Sequence, residues 1–154
     1  MIDITGDGKF LLVVEWDAEV RIYKNTNNQF IEYYPVITPP DNSSSTYTGA
    51  ISDDHEWVVF SSYDYTNTFV YKLENGTYSL NQTIVTSYIV SQLAMTPDHS
   101  FLVLIFGSQA YVYKHNGIQF DTSTPQIINY PTYYSKFVSI TNDHQYLTVS
   151  DWSS

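Results

Sequence analysis

"ITGDGKFL" (residues 4–11) recurs, with its polar turn and apolar exit, as "ISDDHEWV" (51–58), "MTPDHSFL" (95–102) and "ITNDHQYL" (140–147). Aligned on Asp7, Asp54, Asp98 and Asp143, the copies stand 47, 44 and 45 residues apart. Three positions before the Asp is Ile4, Ile51, Met95 or Ile140; two before it is a hydroxyl, Thr5, Ser52, Thr96 or Thr141. Three positions after it comes an aromatic, Phe10, Trp57, Phe101 or Tyr146, followed by Leu11, Val58, Leu102 or Leu147. Each copy reads as two strands joined at a tight polar corner.

A second motif recurs in phase with the first. Tyr23-Lys24, Tyr71-Lys72 and Tyr113-Lys114 each have an aromatic seven residues after the Tyr, at Phe30, Tyr78 and Phe120. Three of the six basic residues in the chain therefore occupy one repeat position. The Tyr is expected to fill a wedge between neighbouring sheets, while the Lys lays its stem over the sheet and keeps its ammonium in water.

Each unit holds four strands. Strand A runs into the Asp corner, as in "YTGAIS" and "SQLAMT". Strand B leaves it, as "KFLLVVEW", "EWVVFSSY", "SFLVLIFG" and "QYLTVSDW". Strand C is the Tyr-Lys arm, and strand D is "NQFIEYYPV", "TYSLNQTIV" or "IQFDTSTPQII". Asn75-Gly76 and Asn116-Gly117 supply positive-φ residues for tight C–D hairpins. Strands B and C are apolar at consecutive positions, as expected of sheets covered on both faces. A period near 45 with several short strands per unit is the signature of β-propeller blades.

The expected architecture is all-β, with blades of four antiparallel strands at about 1–45, 46–90 and 91–134 and a partial blade at 135–154. Strands A and B occur four times and C and D three times, giving about three and a half blades. Closed rings use roughly four to eight. The chain is thus expected to be a partial or open propeller, a slice of a longer one whose remainder covers its open faces. The polar insert "TPPDNSSSTYTG" (38–49) reads as a loop, not a linker between domains.

This pattern resembles the WD-repeat and WD-like β-propeller families across essentially the whole chain. Tyr-Lys stands where those families carry Trp-Asp, and their Gly-His dipeptide is absent, so the resemblance is to a divergent member. In strand layout the chain is also similar to integrin-type and lactonase-type propellers. The WD-like resemblance implies that the B–C and D–A loops share one face, often the binding face. The B–C loops are "EWDAE" (15–19), "SYDYTN" (62–67) and "FGSQ" (106–109); the D–A connections add "PPDNSSSTY" (39–47) and "YPTYYS" (130–135). Their aromatic and acidic side chains make Trp16, Asp17, Asp41, Tyr63, Asp64, Tyr65, Tyr133 and Tyr134 candidate partner-binding residues.

Composition narrows the function. A formal charge of −10 and a pI of about 4.4 argue against nucleic acid and anionic membrane surfaces, both of which attract basic patches. No apolar run approaches the ~18 residues of a membrane span. With no Cys there is no disulfide, thiolate zinc site or Cys nucleophile. The first ten residues lack a signal-peptide pattern, and nothing fixes the compartment. The sequons at Asn42, Asn75 and Asn81 are candidate glycosylation sites.

The recurring Asp residues read as Asx turns, because two of the four turns carry a single carboxylate, too few for a tight calcium site. His55, His99 and His144 share a place with Gly8, which marks a positive-φ position. As metal ligands they are expected to stand too far apart, on corresponding turns of different blades, and His115 reads as a lone turn residue. No serine lies on a nucleophile elbow and no Gly-rich phosphate loop is present, so no catalytic residue and no cofactor are assigned. The expected function is a non-enzymatic interaction scaffold whose partners are proteins or the rest of its own propeller. The rival readings are a ligand-binding or hydrolytic propeller of lactonase or peptidase-associated type, and an extracellular, calcium-dependent adhesion propeller.

Overall fold

The computed structural model describes residues 1–41, 45–130 and 135–151, and the regular structure among them is strand alone. The first blade is β1 (Ile2–Ile4), β2 (Phe10–Val14), β3 (Val20–Thr26) and β4 (Gln29–Glu32). The second is β5 (Thr46–Ile51), β6 (Trp57–Ser62), β7 (Asn67–Glu74) and β8 (Thr77–Val85). The third is β9 (Gln92–Met95), β10 (Phe101–Phe106), β11 (Gln109–Lys114) and β12 (Gln126–Asn129). A two-stranded sheet, β13 (Ser135–Ile140) and β14 (Leu147–Asp151), follows. Each sheet is an antiparallel meander in chain order, so the propeller-blade architecture read from the repeat is what the chain adopts.

The four corners between strands A and B have one construction. Asp7, Asp54, Asp98 and Asp143 accept through Oδ1 from the amide two residues on, at 2.9, 2.9, 3.0 and 3.1 Å. The hydroxyls of Thr5, Ser52, Thr96 and Thr141 accept from the amides of Phe10, Trp57, Phe101 and Tyr146, at 3.0, 3.0, 2.9 and 3.1 Å. Gly8, His55, His99 and His144 take φ of 67°, 54°, 52° and 60°, the left-handed turn position. The repeated residues are thus the parts of an Asx corner, in which side chains satisfy amides that no strand partner reaches.

Blades pack face to face through the apolar strands. Phe10, Leu12, Val14, Val20 and Ile22 of the first meet Ile51, Tyr71 and Tyr78 of the second in one buried cluster. Trp57, Val59 and Val70 of the second meet Met95, Tyr113 and Phe120 of the third. Val103, Ile105 and Ala110 of the third meet Val138, Ile140, Leu147 and Val149. Tyr71 and Tyr113 are buried in these wedges, each worth about 1.5–3 kcal/mol as a buried large side chain. Lys72 places its ammonium 5.3 Å above the Trp57 ring, and Lys24 sits 4.5 Å from that of Tyr33. In blades two and three the recurring Tyr is therefore a wedge residue, while Lys24 and Lys72 cover rings of their own blades and Lys114 stays exposed.

Three details of the sequence reading change. Asn75 and Gly76 form the expected two-residue turn, with φ of 52° and 80°, but Asn27 and Asn28 do the same between β3 and β4, at 54° and 63°. At Asn116-Gly117 only Gly117 has positive φ, and the turn is longer, closed by the Asn116 amide on the Gln119 carbonyl at 3.0 Å. Strand D of the third blade does not follow that turn directly. Asp121 captures the Ser123 amide at 2.9 Å and the Thr124 hydroxyl at 3.1 Å, which bends the chain out, and Pro125 has no amide to donate. Pairing resumes only at Gln126.

Candidate interaction surface

The B–C loops leave the ends of β2, β6 and β10 away from the Asp corners. In the first, the Glu15 amide donates to the Glu19 carbonyl at 2.8 Å and Ala18 adopts φ of 66°, so the loop turns sharply and lifts Trp16 outward. In the second, Tyr63 is held by its amide on the Ser45 carbonyl at 3.1 Å. Thr46 ties the two blades by donating its hydroxyl to the Glu15 carbonyl. Thr46 pairs with Ser62 and Thr48 with Ser61, so a β-bulge falls at Tyr47, whose ring lies exposed between the buried Thr46 and Thr48.

The result is a three-ring patch spanning blades one and two. The Trp16 and Tyr63 centroids are 4.9 Å apart, Tyr47 and Tyr63 5.5 Å, and Trp16 and Tyr47 6.4 Å. All three stay open to solvent, Trp16 at 61%, Tyr63 at 40% and Tyr47 at 38%. Trp16 and Tyr63 are legible as candidates; Tyr47 is not singled out, because it stands where the polar 39–47 connection passes into strand A.

The other candidates distribute unevenly. Tyr65 is exposed but makes no ring contact with the patch, and its amide caps on the Ser62 hydroxyl at 3.1 Å. Asp41 accepts from the Asn67 side chain at 2.8 Å, and Asp64 accepts from the Ser45 hydroxyl at 3.4 Å, so both brace the loops. Asn42, Tyr133 and Tyr134 lie outside the described residues. Asn75 and Asn81 are exposed.

Beside Trp16, the carboxylates of Glu15, Asp17 and Glu19 lie within 4.8 Å of one another. Arg21 is threaded among them: its Nε is 3.0 Å from Glu15, Nη2 donates to Glu19, and Nη1 reaches Glu32 at 3.1 Å. Glu15 and Glu19 thus already have a counter-ion, whereas Asp17 is exposed and pairs with no cation among the described residues.

At the opposite end the histidines do more than fill a turn. Held at positive φ, each ring reaches back over the preceding blade: His55 stacks on Phe10 at 4.0 Å, His99 lies 5.3 Å from Trp57, and His144 lies 5.2 Å from Phe101. His144 Nε2 stands 3.2 Å from Asp98, and His99 Nδ1 3.7 Å from Asp54. Corresponding corners of adjacent blades therefore touch, contrary to the separation expected from the repeat. His115 is likewise no lone turn residue; its ring packs against Trp57, His99 and Phe120 at 4.8–5.1 Å. Burial holds His55 and His115 below the ordinary imidazole value.

No family model matches this sequence, and no curated protein does. Solved structures do match in fold. A chain of Kuenenia stuttgartiensis hydrazine synthase superposes with a TM-score of 0.73 at 12% identity, over 96% of this chain and 40% of that one. At that identity the likeness speaks for the strand architecture alone. This chain spans well under half the length of the one it matches.

Proposed function

We propose that this chain is a portion of a larger, divergent WD-like propeller that acts as a non-enzymatic interaction scaffold. One observation carries the reading. The first blade exposes, on its outer face, the repeat positions that the next two blades bury. Ile4 is 52% exposed, while Ile51 and Met95 are 5% and 9% exposed. Phe30 is 40% exposed, while Tyr78 and Phe120 are 9% and 0% exposed. Tyr23 is half-buried where Tyr71 and Tyr113 are buried. In the second and third blades these side chains are covered by the blade before, so the outer face of the first is shaped for one more blade of the same kind.

The occupant this face fits is a complete blade. Tyr71 and Tyr78 are covered in part by Val20, Ile22 and Tyr34, which lie in and after the third and fourth strands of the preceding blade. The two-stranded sheet β13–β14 of a second copy offers no such strands among its described residues and leaves Tyr23 and Phe30 uncovered. Protein partners then dock on the loop end, where the aromatic patch stands.

A tandem variant tests this. A duplicate of residues 1–47 placed ahead of Met1 keeps the 47-residue spacing from Asp7 to Asp54 and presents a leading face that already receives Ile51, Tyr71 and Tyr78. The expected result is a higher urea midpoint, with slower hydrogen exchange at β1 and β2. An unchanged midpoint and unchanged exchange would overturn the proposal.

A further inference from the structure

The aromatic patch between blades one and two has a charge setting that selects its ligand. Lys24, Lys72 and Lys114 each pair with the first residue of strand B, at Phe10, Trp57 and Phe101, so all three sit at the Asp-corner end. Lys9 is at that end too, bonded to Asp7 at 2.7 Å. At that end the lysines are offset by the corner carboxylates of Asp7, Asp54, Asp98 and Asp143, whereas around the patch no lysine stands among the described residues. Glu15, Glu19 and Glu32 share the single guanidinium of Arg21, and the Asp17 carboxylate lies within 4.8 Å of those of Glu15 and Glu19, so four carboxylates surround one cation.

Three ring faces open to water add their own negative potential. The quadrupole of an aromatic ring attracts an ammonium or guanidinium placed over its face within about 6 Å. The rings are held by main-chain bonds from Tyr63 to Ser45 and by the Thr46–Glu15 tie, so little ordering remains to be done on binding. The preorganised rings favour binding, and the carboxylates beside them fix the sign of the ligand.

We infer that Trp16, Tyr47 and Tyr63 receive a lysine or arginine side chain from a partner protein, with the free carboxylate of Asp17 at the rim. This rests on the scaffold reading and names the partner's chemistry: an exposed basic segment. A neutral segment forgoes both the cation–π attraction and the pull of the carboxylates, and an acidic one is repelled by them.

The test is a titration of the isotope-labelled full chain with a tetra-arginine peptide and with its uncharged isostere, tetra-citrulline, followed by NMR. The expected result is movement of the Trp16 indole N–H and of the Glu15–Glu19 and Tyr63 amides with tetra-arginine, weakening as salt rises. Tetra-citrulline is expected to bind at least tenfold more weakly, and so is tetra-arginine to a Trp16→Ala variant, with Trp16→Phe recovering part of the loss. Equal binding of the two peptides, shifts centred on another surface, or unchanged binding by Trp16→Ala would each overturn the inference. The tandem-blade experiment reads a different face, so loss of the cationic site leaves the propeller reading standing, and the reverse holds.

Discussion

The side-chain amide of Gln82 closes on both backbone groups of Phe120, donating to its carbonyl at 2.9 Å and accepting from its N–H at 3.0 Å. Gln82 lies in β8, the outer strand of blade two, and Phe120 belongs to the third blade, whose own fourth strand starts only at Gln126. Phe120 bridges His115 on its inner side, and the Gln82 side chain serves its outward-facing backbone groups, where no further strand lies among the described residues. That side chain does so beside a phenyl ring that is wholly buried in the wedge.

Replacing Gln82 with Leu should therefore cost about 1–3 kcal/mol, the usual penalty for leaving buried polar groups unpaired. Gln82→Glu keeps the acceptor but turns a carboxylate oxygen toward the Phe120 carbonyl, so its loss should shrink as the pH falls and the carboxyl is protonated. Urea denaturation followed by circular dichroism checks both. A Leu variant as stable as the parent would mean that water serves Phe120 equally well.

Gly49 occupies a close approach between the first two blades. A Cβ there meets Val14 Cγ2 at 2.6 Å and the Val59 carbonyl at 3.0 Å. The backbone is not in the left-handed region, so the demand is for space alone. Gly49→Ala is expected to destabilise by about 1–3 kcal/mol through overpacking. Pairing it with Val14→Ala removes the nearer clash, so the double variant should lose less than the two single losses added together.

Acidification should weaken the chain in two stages. His55 and His115 have folded values lowered from 6.5 by burial, so the stability they lend is complete above that pH and lost as pH falls through their folded values. Lower down, Asp98 is partly desolvated, which raises its value, but bonds from Ser100, Thr96 and nearby His144 outweigh this and hold it well below 3.8. Hydrogen bonds from Lys9 pull Asp7 down to about 2. Both carboxylates lend stability above 3.8 that disappears as pH drops through their folded values. Thermal melts from pH 8 to pH 2 should show both limbs. His115→Phe should flatten the upper one and Asp98→Asn the lower one.

Most of the architecture was legible because each corner repeats a chemical requirement: an Asp for the turn, a hydroxyl for the next amide, and Gly or His at positive φ. The junctions between blades were less legible. That His55 stacks on Phe10 follows from how one sheet sits on another, and a linear repeat does not encode that distance. The late start of β12 depends on Asp121 trapping its neighbours, a local competition that overrides the apolar pattern of Ile118 and Phe120. In the candidate surface, Trp16 and Tyr63 stood out as aromatics in polar loops. Tyr47 stands at the seam between the polar 39–47 connection and strand A, and its place beside Trp16 and Tyr63 depends on how the two blades sit together.

The histidine that leans back across each junction gives the molecule a direction. Among the described residues, the three contacts of this kind each run from a corner to the aromatic of the blade before it. The two faces of a blade are consequently unlike, and the outer face bearing Ile4, Tyr23 and Phe30 is no mirror of itself. Symmetry then limits assembly. A two-fold dimer would have to bring like faces together, whereas these faces call for a heterologous, head-to-tail joint. Such joints either return on themselves as a ring or continue as a filament, and the rotation per blade decides which.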